Sequence, residues 1–234
     1  MRTDGLVPGR CAEMMTLARS RLPTFNGSVR LLAHADSVAD NSRVYSMGLR
    51  TPKMQYTVDD LARMPDDGSR YEIINGELLV TPSPRYWHQL VLLGLASRLR
   101  PYVRSLGLTL LIAPADVRVS RKTQVEPDLF VLPESSVIDH RTLWVKMRDL
   151  LLAVETLTPS TADVDRGKKR ALYLAHGVPE YWIVDVDACT VDVWTAGRAE
   201  ARRETKSLRW QPVAGRRALA IDLVAVFAEA LGER

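Results

Sequence analysis

Glu155 sits where hydrophobic patterning leaves no room for a charge. It interrupts Leu150–Leu157 (L-L-L-A-V-E-T-L), an almost wholly apolar run of the kind that forms a strand buried on both faces. An unpaired carboxylate in such a strand costs several kcal/mol, so it calls for a metal, a cation or a proton. The plain alternative is a strand-end glutamate facing solvent, because the Thr158-Pro159 turn is close. Asp128 opens a second apolar run directly after Pro127 (V-E-P-D-L-F-V-L). Taken alone it reads as an ordinary strand-start residue. Two carboxylates at the ends of neighbouring strands form a hard-oxygen site, which suits Mg²⁺ or Mn²⁺. The third element is D-R-G-K-K-R, which begins at Asp165 on the helix after Glu155. Asp165 and Lys169 are spaced i, i+4, and a surface ion pair there is worth only about 0.3–0.5 kcal/mol. Lys169 also shares a face with Tyr173, on a helix that must pack against the Glu155 strand. A lysine beside two carboxylates and a metal can orient an attacking water and stabilise developing phosphorane charge.

The elements that must position these groups are legible from Tyr56 onward. Thr57 is a good N-cap with Asp60 three residues later, and the short helix it starts should stop before Pro65. Tyr71–Ile74 and Glu77–Val80 are joined by Asn75-Gly76, which predicts a tight type I′ hairpin. A helix is predicted from Arg85 to about Leu99, ended or kinked by Pro101. Strands follow at Leu108–Ile112, Asp116–Ser120 and Val125–Leu132. After Leu150–Leu157, Thr158-Pro159-Ser160-Thr161 caps a helix from about Ala162 to His176, which ends at Gly177. Tyr181–Asp185 and Thr190–Trp194 form another hairpin. Arg198–Ser207 reads as an exposed charged strand, and Leu219–Leu223 and Ala225–Leu231 as a last strand and helix. Strands on both sides of single helices imply a mixed central sheet with helices against it, of α/β or α+β class.

Composition narrows the function classes. The 234 residues are 46% hydrophobic and 26% charged, which excludes wholesale disorder and fibrous repeats. Two cysteines without a C-x-x-C leave no disulfide framework and no cysteine-rich zinc site. A net charge of +4 permits a nucleic-acid partner without demanding one. No apolar run reaches the roughly 20 residues of a spanning helix, and no apolar region follows the first residues, so a cytoplasmic protein is expected. Residues 1–53 are rich in basic and turn-forming residues. They read as a disordered extension to a domain spanning 54–234, or as a basic arm that follows nucleic acid.

Y-E-I-I-N-G-E-L, H-Q on a helix, V-E-P-D-L, V-E-T-L-T-P-S-T and D-R-G-K-K-R-A-L-Y-L-A-H-G-V-P-E-Y-W-I-V-D occur in that order. Together they resemble the Uma-type restriction endonuclease family of the PD-(D/E)XK nuclease superfamily, from about Gln55 to Leu231. The resemblance implies a restriction-endonuclease-like α/β core preceded by a hairpin. It implies that Asp128 is the metal-binding aspartate and Glu155 the second acidic ligand. Leu157 stands where the wider superfamily has its lysine, and the resemblance moves that role to Lys169, with Lys168 as a competitor. It also matches Glu72 to an acidic hairpin position and His88 to the histidine of the first core helix, where either could tune the site or serve a second metal.

The expected function is therefore Mg²⁺- or Mn²⁺-dependent hydrolysis of DNA by a homodimer, with Asp128, Glu155, Lys169, Glu72 and His88 at the site. The hairpin strands Thr190–Trp194 and Arg198–Ser207 are the expected dimer contact. Two alternatives stand beside this: a catalytically silent nucleic-acid-binding or partner protein on the same fold, and a glycoside hydrolase built on paired carboxylates. Trp194 and Trp210 suit either base stacking or core packing. The basic residues Arg202, Arg203, Lys206, Arg209, Arg216 and Arg217 suit either a solvated face or a phosphate-contacting one.

Overall fold

The structure, a computed structural model, describes residues 55–82, 86–137 and 144–232. Alternation along its central strands explains its layers. In β6 (Leu129–Pro133), Leu129 and Val131 enter one apolar core while Phe130 and Leu132 enter another. β8 (Leu152–Thr156) repeats this, with Leu152 and Val154 on one side and Ala153 on the other. A sheet that is apolar on both faces must be covered on both.

These two strands lie inside a six-stranded sheet ordered β11-β10-β9-β8-β6-β3. Its other members are β3 (Leu108–Ile112), β9 (Glu180–Asp185), β10 (Thr190–Thr195) and β11 (Arg202–Glu204). β8 and β9 run parallel, and the remaining neighbours are antiparallel. One face is covered by α2 (Tyr86–Ser105) and by the C-terminal helix α4 (Leu223–Leu231), which follows a small antiparallel pair, β12 (Ser207–Trp210) with β13 (Leu219–Asp222). The other face is covered by a five-stranded sheet ordered β2-β1-β5-β4-β7. Its strands are β1 (Arg70–Ile74), β2 (Glu77–Thr81), β4 (Asp116–Ser120), β5 (Thr123–Val125) and β7 (Trp144–Lys146). The crossover from β8 to β9 packs on the same face. It is α3, formed by Ala162–Val164 and Arg170–Ala175 with a π-helical turn, Asp165–Lys169, between them.

Several expectations hold locally. Thr57 and Asp60 form the cap of α1 (Val58–Leu61), with the Thr57 amide donating to the Asp60 carboxylate at 2.8 Å. Asn75 (φ 52°) and Gly76 (φ 85°) make the hairpin between β1 and β2.

The expected mixed central sheet is the six-stranded one, and a five-stranded and a two-stranded sheet stand beside it among the described residues. Other expectations are corrected. The predicted strand Val125–Leu132 is two, because Pro127 offers no amide and the chain leaves one sheet after Val125 and enters the other at Leu129. α2 runs through Pro101 to Ser105. Leu99 and Val103, both fully buried on either side of the exposed proline, hold the turn that lost its hydrogen bond. Arg198–Ser207 is not one strand: Arg202–Glu204 edges the large sheet and Ser207 already begins β12. Thr190–Thr195 is not an edge, since β11 covers it. The extension 1–53 and its boundary lie outside the described residues. Among the described residues no helix is long and apolar enough to cross a membrane.

Candidate active site

Register brings the two carboxylates together. Leu129 pairs with Val154 across β6 and β8, so one step further along the antiparallel ladder Asp128 stands opposite Glu155. By alternation both side chains lie on the face of Phe130 and Ala153, toward the five-stranded sheet and α3. On β1, Arg70 and Glu72 share the parity of the core residue Ile74 and point into the same layer from the other side. The site is thus the end of the layer between the two sheets, where apolar packing gives way to charge.

Asp128 is held on both oxygens. Arg70 donates to Oδ1 at 2.9 Å, and His88 Nε2 and the Thr156 amide meet Oδ2 at 2.9 and 2.8 Å. Arg70 also donates to the Glu126 carbonyl at 3.0 Å. Lys169 Nζ lies 2.8 Å from Glu72 Oε2, 3.0 Å from Glu155 Oε1 and 3.8 Å from Asp165 Oδ1. The Tyr173 hydroxyl donates to the same Glu155 oxygen at 2.9 Å. Glu72 in turn accepts the Glu126 amide on Oε1 at 2.7 Å. Glu72, His88, Asp128, Glu155, Asp165 and Lys169 are all buried. The π turn matters here: it widens the helix so that Asp165 and Lys169, rather than Lys168, face inward. Lys168 is exposed and pairs with Glu77 at 2.6 Å.

Charge in this cluster does not balance. Among the described residues, Glu72, Glu126, Asp128, Glu155 and Asp165 face two fixed cations, Arg70 and Lys169. Burial would raise the Asp128 carboxyl, but His88, the Arg70 charge and the Thr156 amide outweigh it and bring it down to about 2. Burial, reinforced by the charges of Asp128, Asp165 and Glu72, pushes Glu155 well above the carboxylate range despite Lys169. Asp165 is raised to about 6 by burial, against the pull of Lys169 and a hydrogen bond from Thr161. Lys169 is opposed by burial, yet its three carboxylate neighbours hold it protonated above the ordinary lysine range. A cluster of this kind is short of positive charge.

The donor set fits a hard divalent cation. Asp128, Glu155, His88, Arg70, Thr156, Asp165 and Lys169 line a cavity of about 20 Å³, room for one water or ion. Two buried polar atoms at its wall, His88 Nδ1 and Thr156 Oγ1, have no partner among the described residues. Among the described residues no three His, Cys, Asp or Glu side chains form a ready-made metal cage. Mg²⁺ does not require one, since it binds through one or two carboxylates and keeps several waters.

All five residues singled out from the sequence converge here. Arg70, Glu126 and Thr156 were missed, although the i, i+2 spacing of Arg70 and Glu72 in R-Y-E-I-I was a signal for Arg70. Trp210 is buried against Trp182 and Tyr102, so it is core rather than a stacking platform. Trp194 lies under the Arg170 guanidinium, 4.4 Å away. In the basic C-terminal third, Arg203 is bound by both oxygens of Asp192 at 2.7 and 2.9 Å, and Arg202 pairs with Glu204.

The profile of the Uma2 family, described as putative restriction endonuclease, matches residues 58–223. The chain belongs to that family. No curated protein matches the sequence. Among solved structures it is similar to a putative nuclease belonging to DUF820 from Anabaena variabilis ATCC 29413. The TM-score is 0.59 at 18% identity, with 75% of this chain and 98% of that one covered. This likeness shows the fold.

Proposed function

We propose, from a chain that belongs to a restriction endonuclease family, that it hydrolyses DNA phosphodiester bonds with Mg²⁺ or Mn²⁺ at the Asp128–Glu155 centre. The observation that carries the reading is the pairing of these two carboxylates across β6 and β8, with Lys169 on Glu155. Asp128 and Glu155 would hold the metal. When bound, it lowers the pKa of a water and offsets charge on the leaving oxygen. Arg70 and His88 keep Asp128 ionised and fix its carboxylate plane. Lys169 stays protonated, so it acts as a donor and not as a base; it can place a water or bear on a charged phosphoryl oxygen. Glu72 holds that lysine in place from β1.

Cutting both strands at one place takes two such centres, so the reading includes a two-fold homodimer. With β10 covered, the contact would use the β11 edge. A glycosidase reading is disfavoured, because the family model that matches the chain is that of a restriction endonuclease and aromatic residues suited to stacking on sugars are only 6% of the sequence.

The test is incubation of the purified chain with supercoiled plasmid and Mg²⁺ or Mn²⁺, beside Glu155→Gln, with calorimetric titration of the metal. Cleavage by the wild type alone supports the proposal. Specific metal binding without cleavage would favour the silent-protein alternative, and neither would remove the metal site. Sedimentation with and without DNA tests the dimer.

A further inference from the structure

A second concentration of charge, of the opposite sign, lies on the outer face of the five-stranded sheet at its β7 edge, because Arg118, Trp144 and Lys146 alternate with Val117 and Val145, which enter the core between the sheets. Register fixes its place. Ser120 pairs with Thr123 at the end of β4 that is remote from Glu126 and Asp128. α3 starts beside Glu155 and ends at His176, and β7 leads into the turn that precedes β8, whose far end carries Glu155. Arg118, Arg121, Trp144, Lys146, Arg148 and His176 line an open pocket of about 450 Å³ there, and among the described residues no acid lines it, although Arg121 pairs with Asp59 and Arg148 lies 4.0 Å from Asp149. That is the size of a small-molecule site.

Two features show that the charges are arranged rather than scattered. Arg118 and Lys146 are direct partners across the parallel β4–β7 pair. Like charges placed directly opposite on neighbouring strands destabilise the sheet. Among the described residues no acid pairs with Lys146; Asp116, two residues along β4 and opposite Trp144, feels the Arg118 charge and offsets part of it. Arg118 is also pre-set: its Nε donates to the buried Gln124 amide at 2.8 Å and its guanidinium lies 4.6 Å over the Trp144 ring. This leaves its outer nitrogens to the pocket. At the rim, His176 Nδ1 meets the Leu172 carbonyl at 2.9 Å, which turns Nε2 outward.

We propose that this pocket binds the phosphate of a nucleotide unit between Arg118 and Lys146, with the attached base against the Trp144–Arg118 stack. An anion between the two side chains relieves the like-charge pairing, and planar π surfaces favour a base over a bare phosphate. The unit is either a free nucleotide or one residue of a single strand. The proposal is independent of the hydrolytic reading, since it needs neither metal nor the carboxylates.

The experiment is titration of the full chain in excess EDTA with inorganic phosphate, thymidine 5′-monophosphate and a short labelled oligothymidylate, read by tryptophan fluorescence and by anisotropy. Saturable binding of the nucleotide probes, tighter than phosphate, is expected. Equal affinity for monomer and oligomer identifies a free-nucleotide pocket, and tighter oligomer binding identifies a strand subsite. Lys146→Glu should weaken binding about tenfold and lower the salt slope by about one unit. It should also raise the melting temperature of the unliganded protein, because it replaces a like-charge pair by an attractive one. No saturable binding, or a Lys146→Glu variant that binds like wild type, overturns the assignment.

Discussion

The layer between the sheets and the outer face of the five-stranded sheet pose opposite electrostatic problems. Between the sheets, among the described residues, five carboxylates share two fixed cations around a largely buried cavity that holds little more than a water. On the outer face, Arg118 and Lys146 stand side by side in an open pocket that no described acid lines, while Arg121 and Arg148 there have Asp59 and Asp149 as partners. The difference lies in what the imbalance costs. Buried charge cannot be screened by salt, so the acidic end has to keep protons or take up a cation. Exposed charge is screened within about 10 Å at ordinary ionic strength, so the basic pocket tolerates its excess and attracts anions reversibly. The acidic end is therefore rigid and suited to chemistry, while the basic pocket is cheap to maintain and suited to holding a ligand.

The largest effect should come from the acidic end and should leave the basic pocket untouched. Glu155→Gln or Asp128→Asn is expected to cut plasmid cleavage by on the order of a hundredfold or more, about 3 kcal/mol or more of barrier. Circular dichroism should show the fold retained. Each should also abolish the calorimetric metal signal. Full cleavage by either variant would break the assignment of the metal to this end.

Lys169→Met should show how far burial sets the cost. It strips the cluster of its central cation and leaves Glu72 and Glu155 facing each other without that charge, held by the Glu126 amide and the Tyr173 hydroxyl. A loss of about 3–5 kcal/mol in denaturant unfolding is expected, together with loss of cleavage. Added Mg²⁺ should restore part of the stability, since it supplies the missing charge. A variant as stable as the wild type would mean that the carboxylates were already protonated, and that Lys169 neutralises little.

Asp165 gives the comparison a pH axis. Its folded pKa of about 6 lies above the unfolded value, so the folded state binds the extra proton between about pH 4 and 6. The associated stability is present below that window and is lost as pH rises through about 6. Asp165→Asn fixes the protonated shape. It should match the wild type below about pH 4, pull ahead as pH rises through the window and be more stable near about pH 8, by an amount on the order of 1–3 kcal/mol. Lower melting of Asp165→Asn near about pH 8 would show that the carboxylate is needed as the partner of Lys169.

Local chemistry made much of this visible in advance, and long-range geometry hid the remainder. Glu155 could be found because an acid in an apolar strand violates a short-range rule. Asp128 and Lys169 followed from strand ends and helix facing. Asn75-Gly76 announced its turn because the backbone there demands positive φ. The division into sheets was not legible, since nothing within Val125–Leu132 says that the chain changes sheet at Pro127. β7 is three residues long and carries no pattern of its own. Arg70 belongs to the site only because β1 lies across the layer from β6, a contact 58 residues apart in sequence. The basic pocket was invisible for the same reason: Arg118, Lys146 and His176 come from three separate elements. The arginines that did look basic in sequence, Arg202 and Arg203, have acidic neighbours that claim them.

The smallest effect tests the choice between adjacent lysines. Lys168 and Lys169 differ by one position on α3, yet the π turn sends one to the surface and the other into the cluster. Lys168 is 48% exposed and its partner Glu77 57%. An exposed pair of this kind contributes about 0–1 kcal/mol, because water and salt screen it and two long side chains must be ordered to form it. Lys168→Ala should therefore change stability by less than about 1 kcal/mol and leave cleavage at the wild-type rate. A double-mutant cycle with Glu77→Ala should give a coupling energy that vanishes at high salt. The parallel cycle of Lys169→Met with Glu72→Gln should give a larger coupling that salt barely alters, since neither partner is reached by solvent. If Lys168→Ala abolishes cleavage while Lys169→Met retains it, the inward lysine is structural. The donor to the reacting phosphate would then approach from the surface side of α3.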